Sequence, residues 1–134
     1  MASGLALALP NAGIVIVEPE GWDDMTRSLK AGHIVPVGPN PPATACDALM
    51  TLRVSPMTFG VLRERSANGV VVSETEIANA MRYAHDKLDL ILEPGGAVGL
   101  AALLSGRVAP SERTLVILSG GNVEPTLFAA MTEG

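Results

Sequence analysis

Apolar and polar segments alternate along this chain in a way that predicts helices and strands in turn. Residues 5–9 are typical of a helix body that ends at Pro10. The β-branched runs 13–18 and 70–72 predict short buried strands, because such side chains pack well on a pleated surface. Residues 113–118 have the same character and predict a third strand.

Helices are predicted between and after these strands. Asp23 and Asp24 suit the start of a helix that runs to Lys30 and ends at Gly32. Ser73 and Glu76 have the spacing of a capping box, and an apolar stripe at helical spacing follows them. Further helices are expected over 57–65, 95–104 and 125–131, and a proline-rich loop over 33–48.

This order of elements predicts a layered α/β fold. A core built almost entirely from aliphatic residues favours helices packed on a parallel sheet, since aromatic residues make up 3% of the chain. A doubly wound sheet normally begins with a strand, whereas this pattern begins with a helix. We therefore expect residues 1–134 to form one partial domain, a partial three-layer sheet with flanking helices.

Composition narrows the classes of partner. The net charge of −5 offers no attraction to nucleic acid or to an anionic membrane. The apolar runs are far shorter than the roughly 18 residues of a membrane span. Cys46 is the single cysteine and excludes an intrachain disulfide, which fits a cytoplasmic protein.

The run Ser119-Gly120-Gly121-Asn122 follows an apolar segment and is a candidate ligand site. It places a hydroxyl at the carboxyl end of a predicted strand, where open α/β sheets bind ligands. Glycines there let a ligand approach the backbone closely. The same residue types are common in ordinary turns, so on its own the run fits both interpretations.

Two other motifs also leave two interpretations open. Glu93 and the glycines after it either receive a ligand at a helix N-terminus or simply begin a helix with Pro94 in its first turn. The acidic run from Glu18 to Asp24 supplies oxygen ligands that suit Mg²⁺ or Ca²⁺. Alternatively, Asp23 caps the helix while Glu18 and Asp24 are solvated.

The remaining reactive residue types favour plain structural roles. His33 and His85 have no cluster of partners and are expected on the surface. Cys46 is expected to be a small buried residue, since no base is identifiable near it. Lys30 and Lys87, the two lysines of the chain, are expected to be solvated.

The order of these motifs is more specific than any one of them. Together they resemble the threonine/serine dehydratase and serine racemase family, which are fold-type II pyridoxal-phosphate enzymes. The resemblance covers the whole chain but only the C-terminal part of the family's catalytic domain. It rests on four segments: Glu18-Pro-Glu-Gly-Trp-Asp-Asp, Thr44-Ala-Cys-Asp, Glu93-Pro-Gly-Gly-Ala and Leu118-Ser-Gly-Gly-Asn-Val.

The resemblance implies a role for the serine motif and its neighbours. The serine that matches Ser119 binds the pyridine nitrogen of the cofactor. A neutral hydroxyl there moderates the electron sink and suits loss of water from serine or threonine, followed by release of ammonia and a 2-oxo acid. Gly120, Gly121 and Asn122 would pack around the ring end, with Glu93 near the polar side of the cofactor.

The resemblance also implies a phosphate site and a cation site. Ser3 and Gly4 match the end of the glycine-rich cup that holds the cofactor phosphate. The residues that match Glu18 and Asp24, with the backbone carbonyl of the residue that matches Trp22, bind a divalent cation, Mg²⁺ or Ca²⁺, in several members.

Four departures from the family pattern affect the expected activity. The Ser-x-Lys segment that supplies the Schiff-base lysine, the glycines of the cup and the small domain that grips the substrate carboxylate are absent. Ala48 stands where a glycine near the cofactor ring is common, and its methyl group could crowd the ring. We therefore expect a fragment of a lyase, inactive alone, whose full enzyme takes a small amino acid.

A second hypothesis is a non-catalytic interaction module. Such a module would pair with an intact paralogue or with a separately encoded N-terminal half, and a sheet edge left unpaired would provide the contact. Family members are usually dimers or tetramers, so a homo-oligomer is also expected from the resemblance.

Overall fold

The computed structural model describes residues 1–133. They form six α-helices, two β-strands and one 3-10 turn at Asp47–Leu49. The helices are α1 (Ala2–Ala8), α2 (Asp24–Ala31), α3 (Pro56–Glu64), α4 (Glu74–Leu88), α5 (Pro94–Leu104) and α6 (Pro125–Thr132), and the strands are β1 (Val15–Pro19) and β2 (Asn68–Val72). None of these helices is long and apolar enough to cross a membrane.

The helix boundaries follow local sequence signals. Ser73 and Glu76 form the predicted capping box at the start of α4, each side chain accepting from the other's backbone N–H. Gly32 ends α2 in the left-handed conformation, with φ of 74°. These predictions are confirmed because capping depends on residues close together in sequence.

The two strands pair in parallel through the middle of the molecule. Val15 lies opposite Asn68 and Pro19 opposite Val72, so both strands end at the same edge of the sheet. Beyond the ladder, the Glu20 backbone N–H donates to the carbonyl of Val72 at 2.9 Å.

Helices cover both faces of this small sheet, which confirms the α/β class and the layered arrangement. Val17, Val70 and Val72 face a core formed mainly by α4 and α5. Ile16 faces a second core, to which α1, α2 and α3 contribute Ala6, Met25, Phe59 and Leu62. On that face, α2 approaches β2 so closely that a Cβ built on Gly69 would lie 2.2 Å from Thr26 Oγ1.

The predicted strand over 113–118 is wrong. Residues 114–120 have no regular secondary structure, and the sheet of the described residues has two strands. A strand needs a neighbour along its length, and no segment within residues 1–133 pairs with this one. The segment instead packs through Val116, whose Cγ1 would lie 3.2 Å from a Cβ on Gly99 of α5.

Candidate functional site

The serine motif and the start of α5 form one compact junction. The Glu93 backbone N–H donates to the carbonyl of Gly120 at 2.7 Å. A Cβ built on Gly96 would lie 1.5 Å from the carbonyl oxygen of Ser119, so only glycine at position 96 permits this approach. The structure thus brings together two motifs that lie more than twenty residues apart in sequence.

Gly120 also requires its small size. Its φ is +74°, in the left-handed region, and a Cβ there would meet the Glu93 side chain, with Cδ 2.1 Å away. The Glu93 carboxylate therefore lies directly against the backbone of Gly120. Glu93 occupies the N-cap position of α5, yet its side chain makes no capping hydrogen bond. Its carboxylate remains available at this junction.

The hydroxyl of Ser119 has hydrogen-bonding capacity to spare. Ser119 is half-buried, and its side chain makes no hydrogen bond to any residue within 1–133. Gly121 and Asn122, next in the chain, are exposed. A half-buried hydroxyl without a protein partner beside a close-packed backbone is a suitable group to contact a ligand.

The 3-10 turn contacts the same junction. A Cβ built on Gly95 would lie 3.6 Å from Leu49 Cγ and 3.8 Å from the Ala48 methyl carbon, which are ordinary contacts. Ala48 therefore lies beside the first turn of α5, the turn that directly follows Glu93 in the sequence. The 3-10 turn and the serine motif together flank the start of this helix.

Ser3 and Gly4 lie in a different environment. Both belong to the first turn of α1, which packs against α3 in the second core. No hydrogen bond within the described chain joins either residue to Ser119 or Glu93. A ligand that touched both places would have to extend between them.

The acidic cluster is organised around Glu18 at the end of β1. Its Oε1 accepts from the Met25 backbone N–H at 3.0 Å, and its Oε2 accepts from the backbone N–H and hydroxyl of Thr26 at 2.7 and 2.6 Å. Burial raises the pKa of Glu18, more than these hydrogen bonds lower it, and the nearby charge of Asp24 raises it further.

Asp24 is the second carboxylate of this cluster. The alternative interpretation of the acidic run expected a solvated Asp24, but its side chain is buried. It is 1% exposed, and its Oδ2 has no hydrogen-bond partner in the described structure. Burial raises the pKa of Asp24 despite the opposing charge of Arg27. Asp23 occupies the N-cap position of α2 but makes no side-chain capping bond.

Trp22 is buried against the loop, and its indole N–H donates to the carbonyl of Pro42 at 2.9 Å. Within residues 1–133, no cluster of three or more His, Cys, Asp or Glu side chains has metal-binding geometry. A cation here would therefore depend on two carboxylates, a backbone carbonyl and water.

The other reactive residues lie where they were expected. His33 and His85 are exposed, as are Lys30 and Lys87 near the ends of their helices. Cys46 is fully buried, and burial raises the pKa of its thiol to about 12, which makes it a poor nucleophile.

Two features of the site were missed at the level of sequence. Thr26 holds Glu18 from the next helix, and Gly96 makes room for the backbone of Ser119. A glycine inside a predicted helix was the available signal, since glycine weakens a helix unless close packing requires it.

Known proteins of one family are similar to this chain in sequence. Residues 1–120 match the sequence profile of a family described as pyridoxal-phosphate dependent enzyme. The chain is 34% identical to the L-threo-3-hydroxyaspartate ammonia-lyase of Pseudomonas sp, covering all of this chain and 43% of the relative. It is 37% identical to the serine racemase of Arabidopsis thaliana, covering 92% of this chain and 40% of that enzyme.

Solved structures agree with these sequence matches. The threonine deaminase from T.th. superposes with a TM-score of 0.79 at 38% identity, covering 92% of this chain and 44% of that chain. Maize serine racemase superposes with a TM-score of 0.81 at 36% identity, covering 96% of this chain and 42% of that enzyme. The chain thus spans less than half the length of the relatives it matches.

Proposed function

Because the chain belongs to the family of pyridoxal-phosphate dependent enzymes, we propose that it forms the part of a hydroxy amino acid dehydratase that holds the ring end of the cofactor. The observation that carries this proposal is the Ser119 hydroxyl. It is half-buried, has no protein partner within residues 1–133, and lies against the start of α5.

The residues at the junction fit a flat heteroaromatic ring. Ser119 would bind the ring nitrogen as a neutral hydroxyl, and Gly120, Gly121 and Asn122 would line the ring end. Glu93 would orient the polar side, and the methyl group of Ala48 would set how close the ring lies to α5. When bound, the cofactor supplies the electron sink for the reaction.

Ser3 and Gly4 would hold the cofactor phosphate. Both lie in the first turn of α1, where backbone N–H groups are free of helical partners. A Cβ built on Gly4 meets nothing within 4 Å, so the space beside it is open. This assignment rests on the sequence match and on that open space.

The substrate of the full enzyme would be a β-hydroxy amino acid that loses water and then ammonia to give a 2-oxo acid. Relatives named as ammonia-lyase, dehydratase and threonine deaminase support an elimination. Racemases are also among the matches, so racemisation is the competing reaction for the same site.

We propose that the 134-residue chain alone has no turnover. Its two lysines, Lys30 and Lys87, lie exposed on α2 and α4 rather than at the Ser119 junction. Turnover of serine, threonine or 3-hydroxyaspartate by the purified chain with added cofactor would refute this part of the proposal.

Binding to the ring-end site is tested with pyridoxine 5′-phosphate, which lacks the aldehyde and so cannot react with surface lysines. In ¹H–¹⁵N spectra of the purified chain, we expect the amide signals of residues 119–122 and Glu93 to shift on titration. Ser119→Ala should weaken binding, and Ser111→Ala, at an exposed serine outside the junction, should not. Equal binding by the two variants would contradict the role of Ser119.

We further propose that Glu18, Asp24 and the carbonyl of Trp22 bind Mg²⁺ or Ca²⁺. The buried Oδ2 of Asp24 without a partner supports this, because a buried carboxylate oxygen is costly unless a donor or a cation satisfies it. Two neighbouring carboxylates also repel each other, which a cation would relieve.

Thermal unfolding tests the cation site. Either cation should raise the Tm of the wild-type chain, with little effect on Asp24→Asn. Glu20→Gln, at an exposed acid near the cluster, is the matched control and should keep the response. A Tm that rises equally in Asp24→Asn would assign the effect to another place.

The alternative function, an interaction module, is supported by one observation. Leu115 and Ile117 are 77% and 41% exposed on a segment that has no strand partner within the described residues. A separately encoded N-terminal half or an intact paralogue could pair with it. We propose a cytoplasmic location for either function, because the single cysteine is unpaired.

Sedimentation distinguishes the two functions. A module should self-associate or bind a co-expressed N-terminal half, and Leu115→Asp with Ile117→Asp should abolish this. Leu52→Asp is the control, because Leu52 is exposed to a similar extent to Leu115 and lies elsewhere in the chain. A chain that stays monomeric and recovers no partner would argue against the module.

A further inference from the structure

A single carboxylate ties the loop before the 3-10 turn to helix α4. The Thr44 hydroxyl donates to Glu74 Oε1 at 2.5 Å, and the Ala45 backbone N–H donates to Oε2 at 3.1 Å. The Cys46 N–H in turn donates to Thr44 Oγ1 at 3.1 Å. Three consecutive loop residues therefore depend directly or indirectly on Glu74.

Glu74 is not needed to begin α4. The capping box already serves that end of the helix, because Ser73 Oγ accepts from the Glu76 N–H and the Glu76 carboxylate accepts from the Ser73 N–H. The carboxylate of Glu74 thus directs both of its oxygens to a segment about thirty residues earlier in the chain.

The loop that Glu74 holds has two consequences for its surroundings. It keeps Cys46 fully buried in the core beside α4 and α5. It also leads directly into Ala48 and Leu49, which contact the first turn of α5 at Gly95. These two residues of the 3-10 turn form one wall of the junction that contains Glu93.

We propose that Glu74 is a positioning residue, whose carboxylate latches residues 44–46 onto α4 and so fixes the wall formed by Ala48 and Leu49. The importance of this wall for a ligand rests on the proposed function. The latch itself does not, since all of its partners belong to this chain. Without it, the loop should open locally while both cores remain folded.

The chain carries its own reporter of this opening. Cys46 is the single cysteine, so a thiol reagent labels one site. In the closed state it is inaccessible, and its pKa of about 12 leaves little thiolate to react. Labelling by dithionitrobenzoate therefore measures how often the loop opens.

Four variants separate a latch from a general loss of stability. Glu74→Ala removes both acceptors, and Thr44→Val removes only the hydroxyl. Glu74→Gln keeps the length and can still accept from Ala45 while its amide donates to Thr44. Thr75→Ala changes an exposed neighbour in the same helical turn and is the control.

Without denaturant, we expect Glu74→Ala and Thr44→Val to label about tenfold to a hundredfold faster than wild type, the range expected for losing hydrogen bonds to a charged group. Glu74→Gln should return most of the protection, and Thr75→Ala should match wild type. The faster rates should depend only weakly on urea, because local opening exposes little surface. The Gly95 amide signal should shift in the first two variants.

Two results would overturn the proposal. The first is a labelling rate of Glu74→Ala and Thr44→Val that increases with urea as steeply as the extent of global unfolding does. The carboxylate would then only add to the stability of the whole fold. The other is wild-type protection in Thr44→Val, which would leave the loop independent of this contact. None of these measurements uses a cofactor, so failure of pyridoxine 5′-phosphate to bind would contradict the proposed function and leave the latch standing.

Discussion

Replacing Gly96 with alanine should separate the serine motif from α5. The added Cβ would lie 1.5 Å from the Ser119 carbonyl oxygen and 2.6 Å from its carbonyl carbon, both backbone atoms that no rotamer change can move away. Overpacking of this kind costs about 1–3 kcal/mol, and contact with backbone favours the upper end. Alanine regains about 1 kcal/mol of helix propensity, so a net loss of about 2 kcal/mol is expected.

Gly95→Ala is the matched control one residue earlier in the same helical turn. Its Cβ would meet nothing closer than Leu49 Cγ at 3.6 Å, an ordinary contact. This variant should be unchanged or more stable by up to about 1 kcal/mol. The two substitutions are chemically identical, and the expected difference of about 2–3 kcal/mol between them therefore measures the approach of Ser119 to α5.

Urea unfolding of both variants, followed by circular dichroism and by fluorescence of the single tryptophan, Trp22, gives this difference. Trp22 is 5% exposed and should report loss of the core around it. If Gly96→Ala proved as stable as Gly95→Ala, Ser119 would not lie against α5 as described. The serine motif would then have lost its structural basis.

Three further outcomes are expected. Gly120→Ala should lose more stability in urea unfolding than Gly106→Ala. Both glycines have φ of +74°, but of the two only Gly120 lies against a side chain, that of Glu93, so equal losses would contradict that contact. Ser73→Ala should cost about 1 kcal/mol by removing half of the capping box, whereas Thr75→Ala should cost little. Despite partial burial, hydrogen bonds from Arg107 and Ser73 lower the pKa of Glu76 below 4.5 in the folded state. The ionised carboxylate therefore stabilises the fold fully above pH 4.5, and this stabilisation is lost as the pH falls through the folded pKa. In urea unfolding, the stabilities of wild type and Glu76→Gln should converge in acid, and a difference that stays constant with pH would refute this role of Glu76.

Local features of this fold were predictable from the sequence. The capping box at Ser73 and the left-handed Gly32 depend on residues within one helical turn, so their patterns alone locate the starts and ends of helices. The same holds for the two β-branched strands. The family assignment was also correct, because it rests on several short motifs in a fixed order.

Features that depend on distant neighbours were not predictable. Residues 113–118 have the composition of a strand, but a strand forms only where another segment pairs with it. Similarly, no local pattern indicates that Thr44 contacts Glu74 or that Gly96 lies against Ser119. The roles of Ser119, Glu18 and Asp24 toward a cofactor or cation remain predictions.

The close packing of Gly69 against α2 lets one small residue influence a carboxylate on the neighbouring strand. Gly69 leaves room for Thr26, whose hydroxyl and backbone N–H hold Glu18 on the neighbouring strand. A side chain at position 69 would push α2 outward and rotate those donors away from Glu18. Variation at this position should therefore alter the chemistry of the acidic cluster without touching it, and an engineer who wished to retune that cluster would begin on β2.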